Sequence, residues 1–398
     1  MATGLTKNTS VVGVEKEVTE GTYVAPQSAT SYVQPLADGF DLTPAREKID
    51  RAIITNSIGK ATPRLGMRSV QAALPCEFRA SGVEGGDVDF AALLESALGA
   101  KRSIAANITT KSSGNTGSVL QIEDADIASL NVGDILVAKE AGAHHVCAIR
   151  AKDSTTGAAN VTILPAKASG SFSDSVVLSK STVYYTANSG HPSLSLSYYW
   201  GNEILQKGIG CKVTSLSLDN FSTGQVASLN FGLEGLSYGE ADGAAPHSPT
   251  YDTGIPPIIL GATVYRDGVA VDINQFGLSV ANTLAFLTAT ANPDGKSASR
   301  VTERQITGSL NPFKDDTSTA NHAAFDAGTE FSLFIKAFNP SAVAGEHVMG
   351  SVIGIYLPKC IATDTKVADQ DGILTDEISF QAVRGSDGAT EEMYLGFI

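Results

Sequence analysis

Apolar residues recur along this chain mostly at every second position, the period of a strand with one face buried and one in solvent. The pattern is cleanest in Ser193-Leu194-Ser195-Leu196-Ser197-Tyr198. It returns over residues 212–218, 225–233, 331–338 and 351–357, and around Ile378 and Phe380, which read as the last strand. One stretch changes to the helical period: Phe90, Leu93, Leu94, Ala97 and Leu98 share a face, with Asp89 placed as N-cap and Gly99 as a left-handed stop. A weaker helix is predicted over 320–327, ended by Gly328. Residues 1–30 are polar and rich in Gly and Thr, and read as an extended arm with little part in a core.

One long stretch occurs twice. Residues 40–74 lie on residues 276–310 at a constant offset of 236 without a gap, and nine positions are identical, among them Phe40/Phe276, Arg64/Arg300, Arg68/Arg304 and Leu74/Leu310. Ordinary composition gives roughly two identities in such a window. Each copy reads as a strand, a polar connection and a returning strand; in the first, the connection holds Arg46-Glu47-Lys48-Ile49-Asp50-Arg51 and the turn Ile58-Gly59-Lys60. Residues 101–188 interrupt this plan. Short strands over 119–122, 135–137, 145–149 and 161–164, separated by turns such as Val132-Gly133-Asp134, predict a small inserted β-barrel. Without it, 1–100 with 189–240 make a first domain of 152 residues, and 241–398 a second of 158 in the same element order. The expected fold is therefore mainly β.

Composition narrows the function. The chain has 398 residues, 42% of them hydrophobic and only 18% charged, which excludes a disordered chain. Its net charge of −14, without a Lys/Arg run, argues against nucleic-acid binding. The first residues lack the apolar core of a signal peptide, and no apolar run is long enough for a membrane span. Cys76, Cys147, Cys211 and Cys360 are scattered and read as reduced core residues.

Chemistry-bearing motifs are weak throughout, so no catalytic, cofactor-binding or metal site is expected. Gly295-Lys296-Ser297 resembles the end of a phosphate-binding loop, but Thr290 stands where that motif needs glycine. Asp369-Gln370-Asp371-Gly372 lacks the remaining ligands of a calcium loop and reads as a hairpin turn. His145 and Cys147 share a strand face, where packing is the more common outcome than metal binding.

Gly13-Val14-Glu15-Lys16-Glu17-Val18-Thr19-Glu20-Gly21-Thr22-Tyr23, Asp87-Val88-Asp89-Phe90-Ala91-Ala92-Leu93-Leu94 and Arg304-Gln305-Ile306-Thr307-Gly308-Ser309-Leu310 resemble the major tail tube proteins of long-tailed, non-contractile bacteriophages. The resemblance implies two tandem tail-tube-type β-sandwich domains, each flanked by a short helix. In that family, six domains join inner sheets into a barrel around a channel, and rings stack into a tube. A duplicated chain then implies three copies per ring, a homotrimer with pseudo-sixfold symmetry and an acidic channel wall that DNA slides past without sequence-specific binding. Further implied partners are the tape-measure protein inside the tube, the tail terminator and the distal tail proteins, with assembly in the host cytoplasm and a final place in the virion tail. Arg64, Arg68, Arg300, Arg304, Phe40 and Phe276 are the candidate contacts between domains or stacked rings, because an arginine fork suits carboxylates there. The insert is expected outside the tube. Against this stand two readings: a carbohydrate-binding or adhesin-like β protein using Trp200 and scattered Tyr as platforms, and a β-rich hydrolase with a dispersed site.

Overall fold

The computed structural model describes residues 4–54, 56, 58–260, 262–314, 319–370, 372–385 and 391–398. The chain is mainly β. In order, its first elements are β1 (Val11–Lys16), β2 (Tyr32–Val33), β3 (Asp41–Ile49), β4 (Arg64–Glu77), α1 (Ala91–Leu98) and β5 (Gly99–Ile104). A separate six-stranded sheet follows, of β6 (Ile108–Thr109), β7 (Val119–Gln121), β8 (Ile135–Glu140), β9 (Ala143–Asp153), β10 (Asn160–Leu164) and β11 (Val177–Leu178). Then come β12 (Ser181–Thr186), β13 (Leu194–Trp200), β14 (Ile204–Asp219), β15 (Ser228–Gly235) and β16 (Ser237–Asp242). The remainder holds β17 (Thr263–Arg266), β18 (Val269–Val271), β19 (Ile273–Thr288), β20 (Lys296–Pro312), α2 (Thr319–Asp326), β21 (Glu330–Ala337), β22 (Ile353–Gln370), β23 (Ile373–Ala382) and β24 (Tyr394–Phe397).

Two long strands organise the large sheet. The N-terminal part of β14 pairs with β13 and β16, and its C-terminal part with β15. β22 does the same, pairing first with β21 and β24 and then with β23. Each strand therefore bends from one layer of a sandwich into the other. The inner layer runs β3-β4-β15-β14 and continues directly into β19-β20-β23-β22, because β14 pairs with β19 over Ser215↔Ala281 to Leu218↔Leu278.

Irregularities in the ladders recur at matching places. The β3–β4 pairing slips before Lys48↔Leu65, and β19–β20 slips before Leu284↔Val301, the same positions at the 236-residue offset. β14–β15 slips between Val213 and Ser215, and β22–β23 between Ala362 and Asp364. β13–β14 slips between Leu194 and Leu196, and β21–β22 between Phe331 and Leu333. A bulge adds an unpaired residue and bends its strand, so these three coincidences make the two halves bend alike.

Packing explains where the structure departs from the sequence reading. The N-terminal arm is part of the core: Val12 and Val14 are buried, and β1 pairs with β13 along its whole length. The arm also covers the serine face of β13, where Ser195 Oγ accepts the Val24 N–H and donates to Glu17, and Ser197 meets the Tyr23 hydroxyl. Both faces of that alternating strand are thus buried. Asp89 does not cap α1; its carboxylate pairs with Arg79 at 2.9 Å and accepts the Gln34 N–H. Gly99 does end the helix in the left-handed region, at φ 105°. β3 runs through the charged connection as far as Ile49. β23 is not the last strand, since β24 follows and pairs with β12 and β22.

The segment 101–188 is shared between two sheets. Its ends fall in β5 and β12, which pair with each other in the large sheet, while β6 to β11 close on themselves through the Thr110↔Ile122 bridge. The closed barrel has its own apolar filling, including Leu120, Leu136, Cys147, Ile149 and Val161. His145 Nε2 lies 2.8 Å from the Pro165 carbonyl and the ring packs edge-on against Phe172, so this histidine is a packed residue. The outer wall of the barrel is apolar too. Ile135, Val137, Val146 and Ala148 pack on Phe334, Val352, Tyr356 and Tyr394 of the large sheet. Gly354 and Gly396 allow this approach, for a Cβ at either would fall within 2.7 Å of Ile135.

Among the described residues no helix is long and apolar enough to cross a membrane. Asp371 lies outside the described residues; Gly372, at φ 86°, sits in the turn between β22 and β23.

Candidate assembly interface

The inner layer has an apolar and a polar face. Leu216, Leu218, Phe231, Phe276, Ile306 and Phe380 turn into one core that runs through both halves. The alternate positions, such as Ser217, Ser279, Thr307, Ser309 and Ser379, line a shallow concavity on the other side. Alternation also puts Asp41, Asp219, Asp364 and Glu377 on this polar face, with Lys366 beside Glu377 at 3.2 Å. Small hydroxyl side chains leave the concave surface smooth, and the carboxylates make it repel anions.

Both ends of the inner layer are unpaired among the described residues. β3 pairs only with β4, and residues 364–370 of β22 only with β23. The arm formed by β3, β4 and their connection exposes Ile49, Ile53, Ile54, Ile58 and Leu65, with Ile54 and Ile58 wholly in solvent. Groups of exposed apolar side chains commonly mark interaction surfaces.

The equivalent arm of the second half, β19 and β20, is covered within the chain. Its tip meets the first arm, where the Arg68 N–H donates to the Asp294 carbonyl at 3.3 Å and the Arg68 guanidinium pairs with the Asp294 carboxylate. Asn282 is buried and donates to the carbonyls of Ala97 and Val213. Glu20 accepts the backbone N–H and hydroxyl of Ser299 and pairs with Lys212 and Arg300. Burial raises the Glu20 pKa, but the Ser299 hydrogen bonds and then the Lys212 charge outweigh it and hold the carboxyl below its ordinary range.

That shift has a testable sign. A carboxylate with a lowered folded pKa contributes stability that is complete above its unfolded value and is lost as pH falls through the folded one. Glu20→Gln should therefore cost about 1.5–3 kcal/mol at neutral pH, the range for a hydrogen bond to a charged group. The difference from wild type should shrink as pH falls below the ordinary glutamate range, first as the unfolded carboxyl and then as the folded one takes up its proton. Urea midpoints at pH 7 and pH 3.5 measure both; equal midpoints at pH 7 would remove Glu20 from the account.

The sequence-predicted contacts divide. Arg68 and Arg300 make the contacts above, and Arg304 pairs with Glu392 at 2.7 Å and donates to the Ala187 carbonyl. These three join segments distant in sequence, whereas Arg64 stands exposed at the start of β4. Phe40 and Phe276 are buried inside the chain: Phe40 stacks on Trp200 at 5.3 Å, and Phe276 on Phe380 at 6.1 Å with its edge to Phe221. Trp200 donates its indole N–H to Gln206 and stacks its ring on Phe40. Gly295-Lys296-Ser297 leads into a strand with Lys296 over the Phe286 ring, not into a helix. No cluster of three or more metal-ligating side chains occurs among the described residues. Sequence reasoning missed Glu20, Lys212 and the β14–β19 pairing; the isolated acids of the N-terminal arm were the only available signal.

A family model described as phage tail tube protein matches residues 7–382. A comparison with curated proteins finds no match.

Proposed function

The chain belongs to the phage tail tube protein family and is a structural tail-tube subunit, and on that premise we propose that three copies close into a ring of six similar units around a channel. The observation carrying this reading is the β14–β19 pairing, which joins the two halves into one continuous inner layer and leaves β3 and β22 open at its ends. Repeating that junction between copies closes the layer and removes its exposed edges. The matched bulges and the repeated sequence support two tandem tube domains, 1–100 with 189–240 and 241–398, with the insert 101–188 on the outside.

In this ring the concave polar face lines the channel. Its hydroxyls and carboxylates bind no phosphate strongly, which suits DNA in transit. The tape-measure protein would occupy the same channel before DNA, and the terminator and distal tail proteins would cap the stack. The exposed isoleucines of the β3–β4 arm become covered by neighbouring copies. Assembly would take place in the host cytoplasm.

Native mass spectrometry of purified rings tests the stoichiometry. The expected particle holds three copies of the 41.2 kDa chain, with a central hole by negative stain. Six copies per ring, or a monomer at assembly concentrations, would overturn the reading.

A further inference from the structure

The junction inside the chain is a template for the junction between chains. Ser215, Leu216, Ser217 and Leu218 of β14 face Ala281, Val280, Ser279 and Leu278 of β19. On the receiving side, the matched bulges align Ser215 with Asp364 and Leu218 with Val367. On the entering side, the 236-residue offset aligns Ala281 with Ala45 and Leu278 with Leu42. We propose that residues 364–367 of β22 pair antiparallel with residues 42–45 of β3 in a second copy, with Asp364 opposite Ala45, Lys366 opposite Thr43 and Val367 opposite Leu42. The inference rests on the ring reading and adds to it the strands and their register.

Three further observations fit that occupant. Neither stretch has another strand on its outer side among the described residues. Val367, an apolar side chain 49% exposed at its edge, comes opposite the apolar Leu42 on the same face of the layer. The arm in the equivalent position within the chain is already seated on the other half, through Asn282 over the end of α1. Arg46 is the residue corresponding to Asn282. In the pairing between copies it therefore comes to the C-terminal end of α2, where a guanidinium meets helix carbonyls of favourable polarity.

Hydrogen-bond direction adds a distinction between the two kinds of junction. The Arg68 N–H points to Asp294 and the Phe78 N–H to Ala227, both away from β3. Alternation then turns the even-numbered residues of β3 outward, toward the incoming strand. Leu42 can exchange both backbone hydrogen bonds with Val367. Pro44, which has no N–H, can only accept one from Thr365. Val280 holds the corresponding place inside the chain. The junction between copies is thus one hydrogen bond poorer, and Pro44 blunts the free β3 edge before assembly.

Disulfide trapping reads the register. Opposite residues in an antiparallel pair have Cα atoms about 4.5–5.5 Å apart, within disulfide reach. Thr43 and Lys366 are exposed, and the four native cysteines are buried. Rings of Thr43→Cys/Lys366→Cys, oxidised with copper phenanthroline, should run as covalent dimers and trimers on non-reducing gels. The displaced pair Ala45→Cys/Ala368→Cys should stay monomeric. Hydrogen exchange on wild-type rings gives a reading without substitution: amides 42, 365 and 367 should gain at least tenfold protection over the disassembled chain. Rings of three without the expected cross-link, or cross-linked through the displaced pair, would overturn the register and leave the ring standing. Rings in which these amides gain no protection would do the same. A wild-type chain that forms no ring would overturn the ring itself.

Discussion

Excising the barrel, by joining Ile104 to Ser181 through a two-residue turn, is expected to give a chain that fails to accumulate in soluble form. The splice itself is mild, because these two residues already face each other at the end of the β5–β12 pairing. The cost lies beneath the barrel. Phe334, Val352, Tyr356 and Tyr394 are at most 3% exposed, and all four rest on barrel side chains. Uncovering them forfeits about 1.5–3 kcal/mol each. Together that consumes much of a typical margin of about 5–15 kcal/mol. Soluble yield and the thermal midpoint measure the effect, and a second excised chain carrying Phe334→Thr, Tyr356→Gln and Tyr394→Gln should recover part of the yield. An excised chain as soluble and as heat-resistant as the parent would show that the barrel is only an ornament on the outer face.

Phe276→Ala is expected to be the costliest single substitution near the junction of the halves, at about 3–5 kcal/mol. The ring is 1% exposed, and its neighbours Phe221 and Phe380 come from different halves of the chain. Its removal leaves a cavity that a β-sheet on either side cannot close, and the β14–β19 strands two residues away lose their support. Phe276→Leu should retain most of the stability because it fills most of the volume. Denaturant midpoints of the two variants decide the matter, and a Phe276→Ala chain with the parent midpoint would mean that the halves are held by their backbone ladder alone.

The positions of most strands were legible in the period-two pattern, and the register of the two long hairpins was implicit in the repeat. Other features were not legible because neighbours distant in sequence decide them. Ser195 and Ser197 look like a solvent face until the N-terminal arm supplies Val24, Glu17 and Tyr23 as hydrogen-bond partners. The strands β14 and β22 read as shorter pieces because the bulges before Ser215 and Asp364 reset their alternation. Phe40 and Phe276 hold the same place in the repeat and are singled out as contacts on that ground, but duplication marks core residues as readily as contact residues. The open edges could not be read at all, since an edge strand and a central one of similar composition differ only in whether a neighbour is present.

In the proposed ring of three, the in-chain junction between β14 and β19 would also change the mass action of assembly. Half of the seams in a ring of three are made during folding, at the high effective concentration of two segments on one chain. Ring closure then varies with the third power of subunit concentration, where six separate units would require the sixth. In such a ring the threshold for tube growth would be correspondingly less abrupt, and rings would form from a smaller pool of newly made subunits.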